Sequence, residues 1–118
     1  MPQVIVEYTE NLAGFPTAEV LRVLNQRLIA CGEFQPHDIK SRAVCVRDFL
    51  VADGNDAHAF VHVSLSILSG RSQATKAAIS QSLMGALQTL LAPMPGLTLQ
   101  LSIEVRDMER AVYSKSSV

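Results

Sequence analysis

The stretch Ala59-Phe60-Val61-His62-Val63-Ser64-Leu65-Ser66-Ile67-Leu68-Ser69, followed at once by Gly70-Arg71-Ser72, decides the fold. Val61, Val63, Leu65 and Ile67 occupy one parity and Phe60, His62, Ser64 and Ser66 the other, the period of two that a half-buried strand imposes. Gly70-Arg71-Ser72 breaks the alternation and opens a helix. Its Ile79, Leu83, Leu87 and Leu90 form an inward stripe before Pro93, Pro95 and Gly96 stop it. Leu97, Leu99, Leu101, Ile103 and Val105 then restore the period of two against Thr98, Gln100, Ser102, Glu104 and Arg106. Strand, helix, strand is a β-α-β unit with one sheet face covered and the other wetter.

Upstream the same order recurs. Val4, Val6 and Tyr8 alternate with Gln3, Ile5 and Glu7 as a short strand, which Asn11, Gly14 and Pro16 interrupt. Thr17 is the expected N-cap of a helix carrying Val20, Leu21, Leu24, Leu28 and Cys31 at helical spacing, with Gly32 as its stop. Ile39 to Val51 has strand composition, and the turn cluster Ala52-Asp53-Gly54-Asn55-Asp56 predicts a hairpin into the strand at 59–69. The fold class is therefore α/β (α+β). It is a duplicated β-α-β arrangement, a four-stranded mixed sheet with two helices on one face, in one domain over residues 1–118. Val4, Cys45, Phe49 and Phe60 are expected to place apolar groups on the opposite sheet face, which oligomerisation would cover.

Composition narrows the function. Of 118 residues, 48% are hydrophobic and 18% charged, which argues against disorder, and the apolar runs are far shorter than a membrane span. A formal net charge of -1 with no basic cluster disfavours nucleic acid and anionic membrane as partners. Cys31 and Cys45 lie too far apart for a metal knuckle or redox pair and are expected to be buried small hydrophobes. No signal-peptide pattern opens the chain, so a cytoplasmic location is expected. No metal, nucleotide or acyl-transfer motif occurs, so no cofactor is expected. Mid-strand His62 has the setting of a structural histidine, and His37 and His58 fall in loop or turn regions without zinc-ligand spacing.

Three features carry chemistry. The chain begins Met-Pro, and a small second residue permits removal of Met1, leaving Pro2 as a secondary amine at the start of a strand. An α-amino group titrates at about 7.7 to 8.0, and desolvation or a nearby cation lowers it toward what a general base needs at neutral pH. With Met1 attached the same nitrogen is an amide without basicity. Gly70-Arg71-Ser72 joins a strand end to a helix start, where backbone N–H groups, the helix dipole and the Arg71 guanidinium can converge on a carboxylate, although a capped helix with a solvated arginine has the same spacing. Lys40 and Arg42, two residues apart on one strand face, add cationic contacts or simply guard an edge.

Taken together, Pro2, Val6-Glu7-Tyr8-Thr9-Glu10-Asn11-Leu12, Cys31-Gly32-Glu33-Phe34, Ile39-Lys40-Ser41-Arg42, Ala52-Asp53-Gly54, Ala59-Phe60-Val61-His62-Val63 and Gly70-Arg71-Ser72 form an ordered series. From Pro2 to about Val105 the chain resembles the 5-carboxymethyl-2-hydroxymuconate Δ-isomerases of the tautomerase superfamily. The resemblance implies a homotrimer with helices outside and sheets inward. It also implies cofactor-free movement of a proton on an unsaturated 2-hydroxy or 2-oxo dicarboxylate from homoprotocatechuate breakdown, an aromatic catabolic route. By the same resemblance Pro2 is the catalytic base, Arg71 holds a substrate carboxylate, and the segment Lys40 to Arg42 is a basic stretch near the site. Lys40 departs from the family in standing where arginine is expected, and the tail from Met108 to Val118 lacks the family's asparagine-rich ending, which suggests that a reach to a neighbouring subunit is curtailed. Two other readings remain at this point: a non-catalytic ferredoxin-like trimeric module that binds a small carboxylate, which a retained Met1 favours, and a purely structural trimer.

Overall fold

A computed structural model describes residues 1–54 and 57–118. Its elements are β1 (Gln3–Thr9), α1 (Thr17–Ala30), β2 (Lys40–Val46), β3 (His58–Leu68), α2 (Gln73–Leu90) and β4 (Thr98–Met108), with short 3-10 turns at Pro36–Asp38 and Arg110–Val112. The sheet order is β2-β1-β3-β4. β1 pairs parallel with β2, β3 pairs parallel with β4, and the central pair β1 and β3 is antiparallel. Each parallel pair needs a crossover, and each crossover is a helix, so the two β-α-β units sit side by side with their first strands in contact.

This order corrects the expected hairpin. β2 and β3 are consecutive, yet β1 lies between them, because the helical crossover carries β2 to the outer side of β1. The strand expected over 39–51 ends at Val46. Of the turn cluster, Ala52 and Gly54 adopt positive φ (51° and 92°), as a tight reversal requires, and Asn55 and Asp56 lie outside the described residues.

The core lies between the helices and one sheet face. Val4 and Val6 of β1, Val61, Val63, Leu65 and Ile67 of β3, Val20, Leu24 and Leu28 of α1, and Ile79, Leu83 and Leu87 of α2 belong to one buried cluster. Register explains why Val4 is inside: it faces Leu65, as Val6 faces Val63, so all four share the helix-covered side. The expected placement of Val4 on the open face is therefore wrong. Cys45 is misplaced as well, since its partner across β1 is Tyr8, of the same parity as Val6. Phe60 does have the opposite parity to Val61, and Phe49 meets it edge to face at 6.3 Å between ring centroids. Replacing Leu65 by alanine should destabilise the fold by about 2–5 kcal/mol, because the site is closed on all sides. Urea unfolding reads this as a lowered midpoint with an unchanged slope.

Helix ends show where local rules were overridden. Val20 N–H donates to the Pro16 carbonyl at 2.9 Å, so Pro16 occupies the N-cap position and the helix begins at Thr17, one place earlier than expected. For α2, Ser72 caps as its position suggests: its Oγ accepts from the Thr75 N–H at 3.1 Å. Both cysteines are exposed rather than buried. Cys31 falls just past α1, where its thiol turns to the Leu28 carbonyl, and Cys45 lies on an edge strand. Among the described residues no helix is long and apolar enough to cross a membrane.

Candidate active site

The site grows from the first residues of β1. Lys40 N–H donates to the Pro2 carbonyl at 3.1 Å, continuing the ladder one step beyond the Gln3–Lys40 pair. Extending the registers past Gln3 sets Pro2 beside Ile39 and Ile67, and Met1 beside Asp38 and Leu68. Pro2 is buried and Met1 half-buried. A proline fits at a strand's first position because no N–H is required of it there.

Around this terminus the chain gathers charge. Burial is the main influence holding the Met1 amine below its ordinary value of 8.0; Asp38 acts in the opposite direction, and the positive charges of Arg71, Lys115 and Lys40 lower it further. Arg71 follows the end of β3, and its guanidinium is held on several sides. Nε donates to Glu33 Oε1 at 3.0 Å, one terminal nitrogen to the Glu33 carbonyl at 2.8 Å, and the other to the Leu68 carbonyl at 3.3 Å. The Phe34 ring centroid lies 4.6 Å from its central carbon. Three of the five guanidinium N–H groups are thereby used, leaving two for a ligand.

The structure thus brings Pro2, Arg71 and Lys40 to one end of the sheet. Lys40 Nζ donates to the Asp38 carbonyl at 3.0 Å. Arg42 stands two residues further along β2, where its guanidinium donates to Gln3 Oε1 at 2.8 Å. The anion site expected at Gly70-Arg71-Ser72 is partly filled by the chain itself, since Ser72 caps the helix and the Glu33 carboxylate meets Arg71. His62 Nδ1 lies 2.6 Å from Ser102 Oγ across β3 and β4, a partnered strand histidine. An apolar hollow of about 280 Å³ lined by Leu12, Phe15, Pro16, Leu91, Met94 and Leu99 opens at the other end of β1, with no acid, base or cation in its walls.

Three residues of this cluster carried no role in the sequence reading: Glu33, Asp38 and Lys115. Lys115 Nζ meets Asp38 Oδ1 at 2.6 Å, although the two are far apart in sequence. That hydrogen bond is the main reason the Asp38 carboxyl titrates below its ordinary 3.8; desolvation opposes it as the next largest influence, and the charges of Lys115, His37 and the N-terminus add to the lowering. No local spacing signals such a contact; only the β1–β2 register, which sets Asp38 beside the N-terminus, points toward it.

A family model described as 5-carboxymethyl-2-hydroxymuconate isomerase matches residues 2–118. The chain belongs to this isomerase family. A 5-carboxymethyl-2-hydroxymuconate Delta-isomerase of Escherichia coli is 31% identical over 121 residues, covering 99% of this chain and 94% of that one. Among solved structures, a 5-carboxymethyl-2-hydroxymuconate isomerase from Deinococcus radiodurans R1 superposes with a TM-score of 0.87 at 29% identity, covering 99% of this chain and 90% of the other. A fused 4-OT protein described as a symmetric trimer shares the fold at a TM-score of 0.71 and 17% identity, over 92% of this chain and 87% of that one. The tautomerase fold inferred from the residues is thus the fold of this isomerase family, and the chain is an enzyme of the isomerase class.

Proposed function

We propose that this isomerase moves a proton on an unsaturated 2-hydroxy or 2-oxo polycarboxylate such as 5-carboxymethyl-2-hydroxymuconate, without a cofactor, using the Pro2 nitrogen as general base after loss of Met1. The observation that carries the reading is the setting of the chain start: Pro2 is buried at the head of β1, and the Met1 amine one residue ahead of it is partly desolvated and feels the charges of Arg71, Lys115 and Lys40. The substrate carboxylate occupies the free N–H groups of Arg71, which aligns the neighbouring carbon with Pro2. Neutral Pro2 takes a proton, the dienolate charge develops against the cations, and the resulting ammonium returns the proton at a different carbon. No atom is gained or lost overall. Lys40 contributes charge at the mouth, and Arg42 serves a more distant carboxylate of the substrate or of its approach path.

The open sheet face supports a homotrimer, as the fold relatives described as trimers suggest. Val44 and Leu50 expose 47% and 75% of their surface; register puts Val44 on the same sheet face as Phe60, and a shared sheet face would cover them. Light scattering should give three times the 12.8 kDa subunit mass, and a monomer would reject the assembly. Two exposed, unpaired thiols fit a reducing cytoplasm.

The direct test is ketonisation of 2-hydroxymuconate and of phenylenolpyruvate by protein whose intact mass lacks methionine. Absence of turnover with both rejects the catalytic reading. The pH profile adds a signed prediction. An amine at 8.0 would be about one-tenth neutral at pH 7. Burial and cations lower the Met1 amine, and Pro2, one residue further in, meets the same surroundings, so the acid limb of kcat/KM should lie below pH 8.0. A limb at or above 8.0 would show that the amine is not the base.

A further inference from the structure

The C-terminal tail takes no part in the fold core, yet it is fastened at both ends. It leaves β4 where Ser69 N–H donates to the Met108 carbonyl at 2.9 Å, and it turns through Arg110–Val112. Arg110 Nε donates to the Ser69 carbonyl at 2.7 Å, fixing the turn against the strand end beside Gly70 and Arg71. Three residues past the turn, Lys115 reaches Asp38, just ahead of β2. β4 and β2 are the two edges of the sheet, with β3 and β1 between them. The tail therefore runs as a strap across the end of the sheet at which β1 begins.

We propose that Lys115 is a substrate-binding residue of this site, a cation for the carboxylate remote from the one at Arg71, which Asp38 holds in place while the site is empty. The proposal rests on the function proposed above. Among the described residues Lys115 has one side-chain carboxylate partner, Asp38, and that partner is next to the N-terminus by register. Lys115 also acts electrostatically on the Met1 amine, one residue ahead of Pro2, as Arg71 does. The Lys115 side chain keeps 31% of its surface exposed, so an entering carboxylate can reach the ammonium, whereas Asp38 keeps 15%. A point charge on a flexible stem suits an arm whose length differs among substrates, while the fixed guanidinium of Arg71 suits the invariant 2-hydroxy acid head. His37 Nε2 lies 3.7 Å from Asp38 Oδ1, so the carboxylate keeps a neighbouring imidazole when Lys115 turns to the ligand.

Two enols that share a head and differ at the far end test this. 2-Hydroxymuconate carries a remote carboxylate; phenylenolpyruvate carries a phenyl ring. Lys115→Met should raise KM for 2-hydroxymuconate by roughly tenfold or more, the scale of one charge-assisted hydrogen bond, and leave KM for phenylenolpyruvate within twofold. Asp38→Asn, which releases Lys115 and removes a repelling anion, should leave KM for 2-hydroxymuconate unchanged or lower it. If Lys115 merely latched the tail, both variants would break the latch and shift both substrates in the same direction, which would overturn the proposal. Equal KM values for wild type and Lys115→Met on 2-hydroxymuconate would overturn it too. Wild-type protein that turns over neither enol would instead remove the function on which it rests.

Discussion

Pro2→Ala should lower kcat/KM by roughly a hundredfold or more, within the range that general acid–base groups contribute, with KM little changed. Alanine is small enough to leave Met1 removable, so the variant still presents an amine at the start of β1. What it loses is the ring, which fixes the nitrogen's direction and makes it a secondary amine. The fold has little reason to respond, because the contact made by Pro2 to β2 runs through its carbonyl, which accepts from Lys40 N–H at 3.1 Å. Pro2→Leu goes further. A bulky second residue keeps Met1 in place, so position 2 becomes an amide and the amine moves one residue outward, and turnover should vanish. Single-turnover and steady-state rates on 2-hydroxymuconate measure both variants, with intact mass confirming the state of Met1. Retention of kcat/KM within twofold in Pro2→Ala would place the base elsewhere.

How far the chain could be understood before its structure depended on the range of the forces involved. Period-two alternation at Val61, Val63, Leu65 and Ile67 reports the covering of one sheet face, and each of the four is fully buried. The helical stripe Val20, Leu24, Leu28 succeeded for the same reason. Strand order is a different matter. A turn-rich segment between two strand-like runs suggests a hairpin, but the choice between hairpin and crossover is made by which strand β1 can pair with once α1 has packed, and no local residue records it. The misplacement of Val4 and Cys45 follows from the same gap, since a residue's face is defined only by its partner across the ladder.

The site divides along similar lines. Pro2 and Arg71 stand out as residue types with a chemical use, one at a chain start and one at a strand-to-helix junction. Glu33, Asp38 and Lys115 do not, because an acid or a lysine in a polar segment is ordinary until tertiary structure gives it a partner. Lys115 is the clearest case: its significance lies in a hydrogen bond to Asp38, 77 positions away in sequence. The tail, whose sequence pointed only to a curtailed reach, is held within its own chain by this contact.

Arg71→Ala should raise KM for 2-hydroxymuconate by roughly 10- to 100-fold, the equivalent of losing a charge-assisted contact to a carboxylate. It should also move the acid limb of kcat/KM upward in pH. Arg71 is one of the charges that lowers the Met1 amine, and it acts with the same sign on a Pro2 amine one residue further in, so its removal should let that amine hold its proton to higher pH and shrink the neutral fraction at pH 7. Loss of stability alone would not shift the limb. Such loss should in any case be small: Glu33, the carboxylate left behind, has a side chain 40% exposed and can be taken over by water. Arg71→Lys separates the two effects. It keeps a charge near the amine, so the limb should return toward the wild-type position, yet an ammonium cannot reproduce the fork that Nε and a terminal nitrogen make with Glu33, so KM should stay raised. An unchanged KM and an unmoved limb in Arg71→Ala would mean that the guanidinium and the N-terminal nitrogen do not share a substrate, and the catalytic account would have to be rebuilt around Lys40 and Lys115.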